Sequence, residues 1–193
     1  MLKIIFVSNK SSVTIHLFIT DMNYMTIFDL EKLNRISLLL QERKQTIACA
    51  ESCTAGLIQN TLSRAIDATS FFQGGMTLYN DGQKAKHLHV NPIFAASCNS
   101  VDRKIAEKMA LEIVPVFNAE LGLSITGYAQ PIPHRSIDDC YAYLAIAEGT
   151  EIILSKKIEG DPLQDLFENQ SIFSKKALDE LLGILEKQEG HPL

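Results

Sequence analysis

The sequence predicts an α/β protein: a single-domain, three-layer α/β/α sandwich with a mixed sheet. Short apolar runs typical of buried strands occur at 46–50, 75–79 and 121–126, and amphipathic helical segments alternate with them. Such alternation predicts parallel strands covered by helices on both faces. A hairpin pattern at 140–158 adds antiparallel strands, which makes the predicted sheet mixed.

The first half of this pattern is helix, strand, turn and helix. Asp29 can cap a helix that runs to Arg43, because apolar residues recur every three or four positions along it. The run 46–50 is a short apolar strand, and the small polar residues 51–56 form a turn. A second helix follows, with its apolar face made of Leu57, Ile58, Leu62 and Ala65.

The second half repeats the alternation. A strand at 75–79 is followed by a helix that Asp81 caps, and 101–117 is amphipathic, with Pro115 expected to stop or kink it. The remaining elements are a core strand at 121–126, the hairpin strands 140–147 and 151–158, and a last helix at about 164–187.

Length and composition fit one globular domain. The chain has 193 residues, of which 46% are hydrophobic and 21% charged, so it can bury a core. The net charge of −5 argues against a nucleic-acid surface, which usually carries a basic stripe. It does not exclude a small phosphorylated ligand, because one helix N-terminus can hold one phosphate. With no apolar run of about 18 residues, no membrane-spanning helix is expected.

The four cysteines predict neither a metal site nor a disulfide framework. Cys49 and Cys53 form one C-x3-C pair, whereas Cys98 and Cys140 stand alone, so zinc spacing is absent. At this low density we expect reduced thiols in a cytoplasmic protein. No metal and no cofactor is expected.

Residues 1–24 form an N-terminal extension to the domain, which we place at 25–193. The extension lacks the apolar length of a secretory signal. Two interpretations stay open: an extra hairpin or strand, or a non-native leader from an upstream start. We favour the leader and assign the extension no function.

Ligands of α/β folds bind beyond the carboxyl ends of the strands, and three such ends carry reactive side chains. The first is the turn after 46–50, whose backbone N–H groups predict an anion nest with added hydroxyls; Cys53 there could be a reactive thiol. The others are Tyr79 with Lys84, and Thr126 with Gly127. The predicted ligand-binding residues are Glu51, Ser52, Cys53, Thr54, Ala55, Gly56, Thr126 and Gly127.

Three runs in order, AESCTAG, GGMTLYNDGQKAKHLHV and LSITGYAQP, resemble the C-terminal domain of CinA, the competence/damage-inducible protein. The resemblance covers roughly 28–187. It implies the α/β fold and a family activity, nicotinamide-nucleotide amidase, which converts nicotinamide mononucleotide to nicotinate mononucleotide and ammonia. It also implies a cytoplasmic protein that binds a pyridine nucleotide and forms homo-oligomers, with neither nucleic acid nor membrane as partner.

The resemblance also implies catalytic roles for a serine, a lysine and a tyrosine. A hydroxyl attacks the amide, a lysine of lowered pKa takes its proton, and a tyrosine orients or relays that proton. The lysine matches Lys84 and the tyrosine matches Tyr79. The family's nucleophilic serine falls on Thr69, with Ser70 one step later, so either of these hydroxyls is the expected nucleophile.

Other positions depart from the family pattern. Ala55 replaces a glycine, which limits the approach of a ligand to the backbone. The loop 132–140 is altered, and Pro162 replaces an arginine that could contact phosphate. Without that arginine, the turn at 52–56 is expected to hold any phosphate. Arg135, in the altered loop, could substitute for the missing arginine. Two functions follow: an amidase with an altered site, or a catalytically inactive paralogue with a nucleotide-binding, structural or regulatory role.

Overall fold

A computed structural model describes residues 4–9, 12–17 and 28–189. In the N-terminal extension, strands β1 (Ile4–Asn9) and β2 (Ser12–Leu17) pair as an antiparallel hairpin. This agrees with one of the two interpretations of that segment. The assignment of 1–24 as a leader and 25–193 as the domain stays a prediction.

The main sheet has five strands in the order β4-β3-β5-β6-β7. Strands β4, β3 and β5 are parallel, and β6 and β7 extend the sheet antiparallel, which confirms the predicted mixed sheet. The strands are β3 (Ile47–Glu51), β4 (Phe72–Thr77), β5 (Leu121–Tyr128), β6 (Tyr141–Glu148) and β7 (Glu151–Glu159).

Helices cover both faces of this sheet, as the sequence predicts. One buried cluster joins α1, α2 and α6 to one face, and another joins α3, α4 and α5 to the other. Strand β3 contributes side chains to both clusters, because successive side chains of a strand point to opposite faces of the sheet. Cys49 belongs to the first cluster, and its neighbours Ala48 and Ala50 belong to the second. The helices are α1 (Leu30–Glu42), α2 (Leu57–Leu62), α3 (Asp81–Leu88), α4 (Pro92–Ser97), α5 (Arg103–Phe117) and α6 (Leu166–Glu189).

The start of β4 and the effect of Pro115 on α5 differ from the prediction. Strand β4 begins at Phe72 and ends at Thr77, three residues earlier than predicted at its start, because two adjacent glycines hide its pattern. Gly75 is needed there: a Cβ at this position would lie 2.5 Å from the Cys49 carbonyl oxygen. Helix α5 continues through Pro115 to Phe117, where Asn118 ends it in a left-handed conformation.

Candidate active site

The carboxyl ends of β3, β4 and β5 surround a cavity of about 490 Å³. Its lining includes Ser52 and Cys53 after β3, Tyr79 after β4, and Thr126 and Gly127 on β5. The three strand ends singled out in the sequence therefore meet, because parallel neighbours end at the same edge of a sheet. The volume lies within the range of small-ligand pockets, roughly 300–1,000 Å³.

The turn after β3 is folded around the side chain of Glu51, which is completely buried. Its carboxylate accepts hydrogen bonds from the Thr54 hydroxyl at 2.6 Å and from the backbone N–H groups of Gly56, Ile58 and Gln59 at 2.8–3.2 Å. A buried carboxylate needs such donors. Glu51 thus caps the N-terminus of α2 from within the chain.

This arrangement occupies part of the anion nest predicted for 51–56. Within the turn, the Gly56 N–H donates to Glu51 and the Ala55 N–H donates to the Ser52 carbonyl oxygen at 3.1 Å, so the turn carries its own anion. A sequence pattern shows that a turn has backbone donors, but not that the carboxylate of the preceding glutamate accepts from one of them. The turn is further held by Gln170 of α6, whose amide donates to the Cys53 carbonyl at 3.0 Å.

Lys84 lies in the first turns of α3 and is only 1% exposed. Asn80 caps this helix, since its side-chain oxygen accepts from the Gln83 N–H at 3.0 Å. The Lys84 Nζ lies 3.0 Å from the Ser52 Oγ and 2.9 Å from the Leu78 carbonyl oxygen. Burial lowers the pKa of Lys84 below its ordinary value, although the Asp81 charge acts in the opposite direction. A buried lysine beside a hydroxyl is thus the central feature of this cavity.

The structure does not bring Thr69 or Ser70 together with Lys84. Both lie in a short 3-10 turn, Ala68–Ser70, immediately before β4. The six residues of β4 separate that turn from the cavity, a distance of roughly 17–20 Å for a strand of this length. The hydroxyl that contacts Lys84 is Ser52. Its signal in the sequence is that Ser52 and Lys84 follow neighbouring parallel strands.

Cys53 does not have the environment of a reactive thiol. Its side chain is buried, and burial raises its pKa to about 12, far above that of a free cysteine. A thiol of this kind stays protonated near neutral pH. The backbone N–H groups of Cys53 and Thr54 lower this pKa, as expected near a helix N-terminus, but burial outweighs them and the negative charge of Glu51 adds to the rise.

Tyr79 lines the cavity but is 67% exposed at its mouth. Its hydroxyl makes no hydrogen bond to Lys84 among the described residues. Tyr79 therefore contributes to the cavity wall, while the predicted contact with the lysine is not formed.

Thr126 and Gly127 shape the opposite wall. The Thr126 hydroxyl donates to the Ser100 carbonyl at 2.7 Å, and the Ser100 hydroxyl donates to Asp81. These bonds connect β5 to the N-terminus of α3. Gly127 packs tightly on β6, since a Cβ there would lie 2.3 Å from the Tyr141 carbonyl oxygen. Ala55 has a left-handed backbone with φ of 54° and is exposed, so it lies outside the cavity lining.

Neither a metal cluster nor a spanning helix is found in the described part of the chain. No group of three or more His, Cys, Asp or Glu side chains there is placed to hold a metal ion. No described helix has the length and apolar character needed to cross a membrane.

The protein is thus an open-sheet α/β domain with a Ser–Lys pair beside a cavity at the carboxyl ends of its parallel strands. The CinA C-terminal domain family matches residues 30–185, and the chain belongs to this family. The family resemblance inferred from the three sequence runs is thereby confirmed.

Individual proteins support the same assignment. A CinA-like protein of Thermosynechococcus vestitus is 38% identical over 96 residues, which are 50% of this chain and 23% of that protein. The first curated relatives are matched over only 22% to 31% of their own length.

Two solved structures share the fold. CinA superfamily proteins from Enterobacter cloacae and Klebsiella pneumoniae both give a TM-score of 0.75, at 22% and 21% identity. The alignments cover 81% and 84% of this chain and 91% and 98% of those chains, respectively.

Proposed function

We propose that the protein is an amidohydrolase that uses Ser52 as nucleophile and Lys84 as general base. The observation that carries this proposal is the 3.0 Å contact between the Lys84 Nζ and the Ser52 Oγ, inside the cavity at the carboxyl edge of the sheet. Thr69 and Ser70, which the sequence favoured as nucleophile, lie at the opposite edge. Ser52 takes that role here because it is the hydroxyl within reach of the base.

The geometry suits a lysine base. As a neutral amine, Lys84 keeps one N–H on the Leu78 carbonyl, and its lone pair can accept the Ser52 hydroxyl proton. A lysine acts as a base more readily when its pKa is lowered, and burial lowers the pKa of Lys84. The charge of Asp81 limits the shift, so the amine can still accept and return a proton.

The reaction follows in balanced steps. The Ser52 Oγ bonds to the amide carbon while its proton moves to the Lys84 Nζ. That proton then passes to the amide nitrogen as the C–N bond breaks, which releases ammonia and leaves an ester on Ser52. Water hydrolyses this ester, restores the serine hydroxyl and yields the carboxylic acid.

The turn after β3 also offers donors for the oxyanion. Gly56, Ile58 and Gln59 donate to Glu51, whereas the N–H groups of Cys53 and Thr54 face the Cys53 sulfur, a weak acceptor that an oxyanion can displace. We assign the negative oxygen of the tetrahedral intermediate to these two groups.

The substrate we propose is a pyridine mononucleotide carboxamide, nicotinamide mononucleotide. The family resemblance suggests it, and the cavity is large enough for a small ligand of this kind. Tyr79, exposed at the mouth, can pack its ring against the pyridine ring. Because all four cysteines are free thiols, we also propose that the reaction takes place in the cytoplasm.

The test is ammonia release from nicotinamide mononucleotide by the purified protein. We expect release that Lys84→Ala abolishes and that Ser63→Ala leaves unchanged, because Ser63 is exposed and lies outside the cavity. If the wild-type protein releases no more ammonia than Lys84→Ala, the amidase proposal fails and the inactive, ligand-binding alternative is favoured.

A further inference from the structure

The altered loop after β5 places an arginine in contact with a residue that lines the cavity. Arg135 lies in a short 3-10 turn, Pro133–Arg135, and its guanidinium donates to the side-chain oxygen of Asn99. Asn99 lines the cavity. The loop is closed on itself, because Ile132 and Ile137 exchange backbone hydrogen bonds of 2.7 and 3.3 Å. Arg135 is therefore held at a defined position.

The guanidinium of Arg135 has N–H groups that remain available to a ligand. It is exposed and forms no salt bridge with any acid in the described part of the chain. Asn99 occupies one of its N–H groups, and a guanidinium has five. The remaining donors retain the planar fork that suits the oxygens of a phosphate.

A second donor lies next to it. The Asn99 amide donates to the Tyr128 hydroxyl at 3.0 Å, so the hydroxyl oxygen acts as acceptor and its own proton stays available. Tyr128 lines the cavity, and its ring is supported by an edge contact with Tyr141 at 5.5 Å. Arg135 and Tyr128 are thus two donors joined by one asparagine.

The backbone at Asn99 is unusual in a way that serves this arrangement. Asn99 and Ser100 are consecutive residues in left-handed conformations, with φ of 53° and 57°. Ser100 is fixed by its bonds to Asp81 and Thr126. This turn presents the Asn99 amide between Arg135 and Tyr128, so Asn99 is a positioning residue.

We propose that Arg135 and Tyr128 bind the phosphate of the substrate and so select a mononucleotide over its nucleoside. This inference rests on the proposed function, because it places the amide at Ser52 and the phosphate beside Asn99 and Tyr128 of the same cavity. It also places the phosphate away from the turn at 52–56, where Glu51 already supplies a negative charge and accepts from the Gly56 N–H.

Calorimetric titration with nicotinate mononucleotide and nicotinate riboside tests this subsite, since neither probe carries a scissile amide. We expect the wild-type protein to bind the nucleotide at least tenfold more tightly than the riboside, about the contribution of one charged hydrogen bond. Arg135→Gln should abolish the difference and leave riboside binding unchanged. Arg135→Lys should restore part of it, because lysine keeps the charge but loses the fork.

The matched control is Arg64→Gln, which changes an exposed arginine outside the cavity lining and should leave both affinities unaltered. Equal binding of the two probes by the wild-type protein would overturn the inference, as would an Arg135→Gln variant that keeps the preference. Arg135-dependent nucleotide binding without ammonia release would refute the hydrolysis and leave the phosphate subsite standing.

Discussion

Replacing Glu51 by glutamine tests the internal cap on which the site turn depends. The carboxylate is completely buried and accepts four hydrogen bonds, three from backbone N–H groups and one from Thr54. Glutamine retains one acceptor oxygen, but its NH2 group would face a donor. Hydrogen bonds to charged groups contribute about 1.5–3 kcal/mol each, so we expect Glu51→Gln to lower the free energy of unfolding by about 3 kcal/mol.

For a chain of this size, a loss of about 3 kcal/mol lowers Tm by roughly 6–12 °C. Thermal unfolding followed by circular dichroism measures this shift. Glu151→Gln, at an exposed glutamate that begins β7, is the matched control and should change stability by no more than about 0.5 kcal/mol. A loss below about 1 kcal/mol for Glu51→Gln would refute the reasoning, because the turn would then not depend on its own carboxylate.

Three further predictions follow from the same geometry. Because Asp81 raises the pKa of Lys84, Asp81→Asn should lower that pKa and move the rising limb of the ammonia-release pH profile to lower pH; a shift to higher pH would contradict this. Because burial raises the Cys53 pKa to about 12, iodoacetamide at pH 8 should label Cys53 only after unfolding, as read by mass spectrometry; rapid labelling of the native protein would contradict the assignment. Ala55 has φ of 54°, so Ala55→Gly should stabilise the protein by about 0.5 kcal/mol in denaturant unfolding, and a loss of stability would show that the conformation is not strained.

The sequence predicts the fold well because its signals are local. Buried strands such as β3 and β5 are short apolar runs, and the helices show clear spacing and caps. The start of β4 was less visible, since Gly74 and Gly75 carry no pattern; only the packing of Gly75 on Cys49 shows why they are there. Such a close approach is a property of two strands and cannot be seen in one.

The candidate site was predicted in part. The sequence places Tyr79 and Lys84 after one strand and Ser52 after its neighbour, and all three residues line the same cavity in the structure. The family resemblance instead predicts Thr69 or Ser70 as nucleophile, because a match of sequence positions does not show that β4 lies between them and the cavity.

The hydrogen bonds of Glu51 and the position of Arg135 could not be predicted from the sequence, for a different reason. Whether the Glu51 carboxylate accepts from the backbone N–H groups that follow it depends on the rotamer of its own side chain. The contact between Arg135 and Asn99 joins residues 36 positions apart, and no sequence pattern links an altered loop to a turn between two helices.

The most direct measurement of the central claim compares ammonia release from nicotinamide mononucleotide by Ser52→Ala with release by the double variant Thr69→Val/Ser70→Ala. If Ser52 is the nucleophile for Lys84, Ser52→Ala loses at least about a thousandfold in kcat, whereas the double variant keeps nearly the wild-type rate. Retained activity in Ser52→Ala, together with loss in the double variant, would contradict the account and return the nucleophile to the turn before β4.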